Sequence, residues 1–480
     1  MRQTKIVVTL GPACEGESTL RALIEAGADV LRLNFSHGTH EQHARNIKLA
    51  RRLASECGRT IALMQDLQGP KIRVNSLRGG SVRLRSGADC VISPMAPTGS
   101  AERFSTTYPR LARDIRPGQA VLLDDGAMEL RVVAIKGEDV TCQVVRGGVL
   151  HDRKGMNLPG VRIVAPALTA KDRADLRFGL SQKVDLVALS FVRSPKDAAA
   201  VRREMERAGR PTLVIAKIEK PEALDQLDKV LYAFDGAMVA RGDLGVELPP
   251  EQVPGEQKRI IARANALGRP VITATQMLES MTRSARPTRA EASDVANAVL
   301  DGTDAVMLSG ETAIGKYPID AVRAMDRIVI AAEILEGRST PMEASTARSR
   351  GHTRAVCAAA AQLAQEIRAD AIAAYTRSGN TARTLSQLRP GIPIIALCED
   401  EATAIQLTLW HGVQATAVGG GSNDEVIQRV ARELLARRLV PNGAQVVMVG
   451  ASPESRAGVT NFVRIVRVRA ARQPDRVDRR

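Results

Sequence analysis

Lys217 and Glu219 lie two residues apart in "LVIAKIE" (213–219), a run that otherwise reads as buried strand. On an extended strand that spacing puts both charges on one face. The run "DVLRLNF" (29–35) leads into Ser36 and His37, with Arg32, Asn34 and Ser36 at alternate positions, and "GAMVARGD" (236–243) carries Asp243 at its end. Two carboxylates from neighbouring strands, Glu219 and Asp243, are the donors a hard divalent ion such as Mg²⁺ takes, and they leave positions open for substrate oxygens. Arg32, Lys217 and Arg73 would surround an anion. Thr275 adds a hydroxyl at the end of "PVITATQ" (270–276). In "MQDLQGPKIR" (64–73) Asp66 stands five residues ahead of Lys71, with Arg73 beyond. Any one of these could be a solvated loop residue. Burying so many charges together would be costly without partners or ligands.

The elements that must position them are short apolar runs alternating with amphipathic helices. Strands are expected at 4–10, 29–35, 60–67, 186–192, 213–219, 236–243, 270–276 and 305–311, with helices such as "HEQHARNIKLARRLASE" and "EQKRIIARANALG" between them. Eight such units match a closed (β/α)₈ TIM barrel, with an open doubly wound sheet as the alternative, and a barrel of this kind places its chemistry at the C-terminal strand ends. The expected plan is α/β, with a barrel over 1–70 and 158–336. A small all-β lid is inserted over 71–157, where alternating segments such as "AVLLDDGAMELRVVAI" occur. The polar stretch "GRSTPMEASTARSRG" marks a boundary, and a C-terminal α/β domain is expected over 351–480.

Composition excludes several classes. With 44% apolar and 25% charged residues among 480, the chain is globular and large enough for several domains. It has no apolar run long enough to span a membrane, and its start reads directly into a strand rather than a leader. Six scattered cysteines without a CxxC pair suit a reducing cytoplasm. The net charge of +15 could serve nucleic acid, but aromatic residues are 2% and only the tail "RIVRVRAARQPDRVDRR" is locally basic. Anionic metabolites are the better fit. His37, His40 and His43 could suggest zinc, but the last two fall in a helix opened by the capping pattern Thr39-x-x-Gln42.

Taken in order, "TKIVVTLGPA", "RLNFSHG", "DLQGPKIR", "AKIEKPEAL", "VARGDLGVE", "ITATQMLESM" and "RPTRAEASDVANAVLDGTDAVMLSGETAIGKYP" resemble pyruvate kinase. The resemblance implies phosphoryl transfer from phosphoenolpyruvate to ADP, giving pyruvate and ATP in the last step of glycolysis. It implies Mg²⁺ held by Glu219 and Asp243, with Mn²⁺ as a substitute, and Lys217 as the cation facing the transferred phosphoryl and the enolate. Arg32 and Arg73 resemble anion-positioning groups, and the turn at Gly242 and Asp243 resembles the donors to the substrate carboxylate. Thr275 resembles the threonine that delivers a proton to the enolate carbon. Asn34, His37 and Arg73 would stand on the nucleotide side.

Potassium-dependent members read D-T-K-G-P-E-I-R where this chain has Asp66, Leu67 and Lys71 in "DLQGPKIR". Asn34, Ser36 and Asp66 keep the cation's ligands, but Leu67 replaces a threonine and Lys71 a glutamate. Two unit charges about 4 Å apart interact by roughly 4 kcal/mol at an effective dielectric near 20. Lys71 is therefore expected to meet Asp66 and to stand in for K⁺, which would not be required.

Thr376, Arg377, Ser378, Gly379 and Thr381, in "YTRSGNTARTLSQLRP", resemble the family's effector phosphate loop at a helix N-terminus. The later loop "GASPESRAGVTNFVRIV" departs from that of fructose-bisphosphate-activated members, so a sugar monophosphate or AMP is expected as effector. A homotetramer follows from the resemblance alone. Other readings are a Mg²⁺-dependent lyase or aldolase acting on pyruvate-like acids, or a non-catalytic binding protein on the same fold.

Overall fold

The computed structural model describes residues 2–336, 351–419, 423–451 and 460–469. The interdomain stretch 337–350, the loop 452–459 and the end of the basic tail, 470–480, lie outside the described residues.

Eight parallel strands close into a barrel: β1 (Lys5–Leu10), β2 (Val30–Asn34), β3 (Ala62–Asp66), β4 (Leu186–Leu189), β5 (Leu213–Ile218), β6 (Gly236–Ala240), β7 (Val271–Ala274) and β8 (Ala305–Leu308). Each strand pairs with its sequence neighbours, and β8 pairs with β1, so the open-sheet alternative is set aside. The strands are apolar on both faces because helices cover the outside and side chains fill the inside. Val7, Val30, Met64, Ala188, Ile215, Met238, Ile272 and Met307 form the interior, and the intervening residues pack against the helices.

That parity fixes the site. Continuing each inward set toward the C-terminal end brings Thr9, Arg32, Asp66, Ser190, Lys217 and Glu219 to one mouth of the barrel. The other mouth is closed by Ile405 and Leu409 of the C-terminal domain, which join the interior cluster.

Between β3 and β4 the chain builds a separate β unit with its own core, which includes Phe104, Leu123, Leu130 and Val144. A six-stranded sheet runs in the order Met156–Asn157, Ala120–Leu123, Met128–Lys136, Asp139–Arg146, Asp89–Ile92, Arg103–Phe104. The unit is not wholly β, since Leu111–Asp114 forms a short helix. The C-terminal domain carries five strands, β9 (Ala371–Thr376), β10 (Ile394–Cys398), β11 (Val413–Ala417), β12 (Gln445–Gly450) and β13 (Phe462–Arg467). Their order is β11-β10-β9-β12-β13, parallel except for β13.

Candidate active site

Asp66 and Lys217 anchor the mouth. Arg32, from β2, donates to Asp66 Oδ2 through Nε at 2.7 Å and lies 2.6 Å from it through Nη2. Its Nη1 reaches Thr9 Oγ1 at 3.0 Å. Lys217 Nζ lies 3.3 Å from Asp66 Oδ1 and 2.9 Å from Glu219 Oε1, and donates to Ser190 Oγ at 2.7 Å. Ser190 Oγ in turn donates to the Leu67 carbonyl at 2.7 Å. Burial would lower the Lys217 pKa, but Asp66, Glu219 and Asp243 outweigh it and hold the amine above its ordinary value. Burial would raise Asp66, but Lys217 and Arg32 leave it below the usual aspartate range. Both groups are therefore charged at neutral pH.

Glu219 is the first residue after β5 and 1% exposed. Its Oε2 accepts the Phe191 N–H at 2.8 Å, while its buried Oε1 faces the Lys217 ammonium at 2.9 Å. Burial raises its pKa, and Asp243 raises it further against the pull of Lys217. A buried carboxylate under the influence of a second one, Asp243, is the donor chemistry a hard divalent cation takes. Among the described residues no group of three or more His, Cys, Asp or Glu side chains is placed to hold a metal ion.

Asp243 does not end a strand. β6 stops at Ala240, and Asp243 stands in the first turn of a short helix, Arg241–Glu247. Thr275 and Gln276 lie beyond β7, both with left-handed backbone, φ +70° and +54°. Thr275 Oγ1 accepts the Gly242 N–H at 2.8 Å and donates to the Ala274 carbonyl at 2.6 Å.

The expected contact between Lys71 and Asp66 is not made. Asp66 is 2% exposed and enclosed by Arg32 and Lys217. After Asp66 the chain turns at Gly69 and leaves the barrel toward the inserted unit, carrying Lys71 away with it. Lys71 Nζ instead lies 3.8 Å from both Asp243 Oδ1 and Asp125 Oδ1. Gly69 enables the turn: its φ is +68°, and a Cβ there would stand 2.7 Å from Phe191 Cδ2.

Asn34 and Asp66 are register partners, but Asn34 Oδ1 accepts the Ser36 N–H at 3.1 Å. Ser36 and His37 follow the strand in a turn, so alternation does not orient them. Leu67 is buried and contributes its carbonyl. Arg73 Nη1 donates to the Arg153 carbonyl at 2.9 Å in the inserted unit. His37 is pushed below its ordinary pKa by desolvation and by the charges of Arg73, Lys71 and Arg32. His40 bonds Asp175 at 2.7 Å and stacks on Phe178, while His43 bonds the His37 carbonyl and stacks on Phe35.

Reading the sequence missed Ser190, Thr9 and Asp125. Ser190 and Thr9 carry a usable signal, being the next inward positions on β4 and β1. Asp125 carries none, because its place depends on how the inserted unit sits over the barrel.

In the C-terminal domain the loop after β9 leads into helix Asn380–Gln387, with Gly379 at φ +79° and no side chain capping the first turn. Arg377 and Ser378 are exposed, and Arg377 Nε donates to Glu399 at 2.7 Å. Thr376 and Thr381 are buried, and the Thr381 hydroxyl bonds that of Thr460 at 2.8 Å.

Comparison with known proteins gives the family. The family profile "Pyruvate kinase, barrel domain" matches residues 1–322, and "Pyruvate kinase, alpha/beta domain" matches residues 354–466. A pyruvate kinase of Mycobacterium tuberculosis is 46% identical over 468 residues, 97% of this chain and 98% of that protein. One from Corynebacterium glutamicum is 46% identical over 465 residues, 97% of each. A crystal structure of a pyruvate kinase from Cryptosporidium parvum superposes with a TM-score of 0.88 at 36% identity, covering 97% of this chain and 96% of that one. With two family profiles covering its length and full-length relatives at this identity, the chain belongs to the pyruvate kinase family.

Proposed function

We propose that this kinase transfers the phosphoryl group of phosphoenolpyruvate to ADP, giving pyruvate and ATP, with Mg²⁺ and without a need for K⁺. The observation that supports it most is the Lys217 ammonium, held cationic by Asp66 and Glu219 at the barrel mouth. Phosphoryl transfer asks a protein chiefly for positioning and charge. Lys217 offers a fixed positive charge to the phosphoryl oxygens in flight and to the enolate oxygen left behind. Arg32 is locked by Asp66 and Thr9, so it meets an anion without having to be ordered first. Glu219 and Asp243 would hold Mg²⁺, or Mn²⁺ in its place, and the ion supplies charge to the developing oxyanions. The turn at Gly242 and Asp243 would present the Asp243 N–H to the substrate carboxylate, while the Gly242 N–H stays with Thr275 Oγ1. Asn34, His37 and Arg73 line the nucleotide side.

Thr275 completes the reaction by passing a proton to the enolate carbon. A threonine hydroxyl is a weak acid, so the proton travels through water, with Oγ1 turning away from the Ala274 carbonyl as it relays. Lys71 brings its ammonium to Asp243, adding at the mouth the kind of charge a bound K⁺ would otherwise add.

The uncapped first turn of helix Asn380–Gln387, beside Ser378, suits the phosphate of a sugar monophosphate or AMP. Exposed Ile334 and Leu335 on helix Pro318–Glu336, with Ile465 on β13, suit burial in a cytoplasmic homotetramer.

The test is stoichiometry. Phosphoenolpyruvate and ADP should yield pyruvate and ATP one for one, and Lys217→Met should abolish both products. Pyruvate released without ADP would point to a different reaction.

A further inference from the structure

Thr275 is a β-branched residue at φ +70°, followed by Gln276 at +54°. Such a backbone is strained for a β-branched side chain and persists only where its surroundings hold it. Here the holder is Arg241. Its Nη2 donates to the Thr275 carbonyl at 2.7 Å and the Gln276 carbonyl at 3.2 Å, and its Nε reaches the Thr275 carbonyl at 3.2 Å. The other edge of the guanidinium, Nη1, lies 2.7 Å from Asp294 Oδ2 and 3.3 Å from Gln257 Oε1.

Asp294 sits on helix Arg289–Leu300, whose Glu291, the capping-box partner of Thr288, also accepts from Ser280 in the short 3-10 turn Glu279–Thr282 beyond Gln276. Next to Arg241, Gly242 gives its N–H to Thr275 Oγ1. One anchored arginine thus fixes the threonine backbone, and its neighbour fixes the hydroxyl.

We propose that Arg241 and Asp294 are a positioning pair that aims Thr275 at the enolate carbon. The inference rests on the proton-delivering role given to Thr275 above. Neither residue touches the reacting atoms. A planar guanidinium is required because it serves two carbonyls and a carboxylate on different edges at once, which a lysine ammonium cannot do.

In the reverse direction, with Mg²⁺ and ATP present, the first chemical event breaks a pyruvate C3–H bond. The proton passes to water and the electron pair forms the enolate. Exchange of pyruvate methyl protons in D₂O, followed by NMR, isolates this step. Thr275→Ala and Arg241→Lys should both suppress exchange, Arg241→Lys by roughly a hundredfold if Thr275 moves by about 1 Å. Asp294→Asn should lower it by about tenfold, and Asp294→Glu should recover part of the loss, with KM for phosphoenolpyruvate within about twofold of wild type throughout.

Wild-type exchange in Arg241→Lys and Asp294→Asn, with exchange lost in Thr275→Ala, would overturn the pair alone. Unchanged exchange in Thr275→Ala would overturn the proton role and the pair with it. Losses matched by an equal rise in KM would mark general damage and also overturn the proposal.

Discussion

Lys71 meets Asp243 rather than Asp66: its Nζ lies 3.8 Å from Asp243 Oδ1 and the same distance from Asp125 Oδ1. Asp243 belongs to the barrel and Asp125 to the inserted unit, so one ammonium stands between the two bodies at the mouth of the site. Asp66 keeps its own cations, Arg32 and Lys217. The charge carried by Lys71 therefore acts on Asp243, one of the two carboxylates proposed to hold Mg²⁺.

Ser190 links Lys217 to the Leu67 carbonyl through two hydrogen bonds of 2.7 Å. A hydrogen bond to a charged group contributes about 1.5–3 kcal/mol. Ser190→Ala should therefore lower kcat by roughly ten- to a hundredfold. A kcat within about twofold of wild type would show that Asp66 and Glu219 hold Lys217 unaided.

Gly69→Ala forces a Cβ to within 2.7 Å of Phe191 Cδ2 and 3.0 Å of Ser190 Cβ, at a backbone angle that disfavours alanine. Phe191 must shift, and its N–H fixes Glu219 Oε2. The Mg²⁺ concentration for half-maximal activity should rise severalfold, with a lower Tm. A lower Tm with unchanged Mg²⁺ response would separate the turn from the metal site.

Far from the site, Asp29 Oδ2 accepts from Arg2 and from the Ile6 N–H, each at 2.9 Å. Burial would raise its pKa, but Arg2 and Lys5 prevail and leave it below the ordinary 3.8. A carboxyl with a depressed folded pKa stabilises fully above its unfolded value and loses that contribution as pH falls through the folded one. Urea unfolding should therefore shift to lower concentration as pH drops below 3.8. Asp29→Asn should lose about 3 kcal/mol at pH 7 and show a flatter acid limb. Identical acid slopes in the two proteins would contradict this.

At subsaturating phosphoenolpyruvate, AMP, ribose 5-phosphate or glucose 6-phosphate should raise the rate, and Ser378→Asp should remove the response by placing a negative charge in the loop. Indifference to all three would exclude a monophosphate site at helix Asn380–Gln387.

Most of the fold was legible because barrel strands, covered on both faces, read as short continuous apolar runs between amphipathic helices. The period of two along each strand placed Lys217 beside Glu219 and would have reached Ser190 had it been followed, but Asp66 was expected to meet Lys71, not Arg32. The period failed where strands end. β6 stops at Ala240, so Asp243 lies on a helix, and β2 stops at Asn34, so Ser36 and His37 lie in a turn. Thr275 in a left-handed backbone contradicts its own propensity and is held by tertiary contacts with Arg241. The Lys71–Asp125 contact joins residues of two bodies, and no local pattern encodes it.

The most direct test is pyruvate formation from phosphoenolpyruvate and ADP with Mg²⁺, in KCl and in a tetraalkylammonium salt at equal ionic strength, for wild type and Lys71→Gln. Wild type should be equally active in both salts. Lys71→Gln should lose activity in the tetraalkylammonium salt, and KCl should restore part of it. Wild-type activity that appears only with K⁺ would contradict the role of Lys71, and no pyruvate in either salt would contradict the reaction itself.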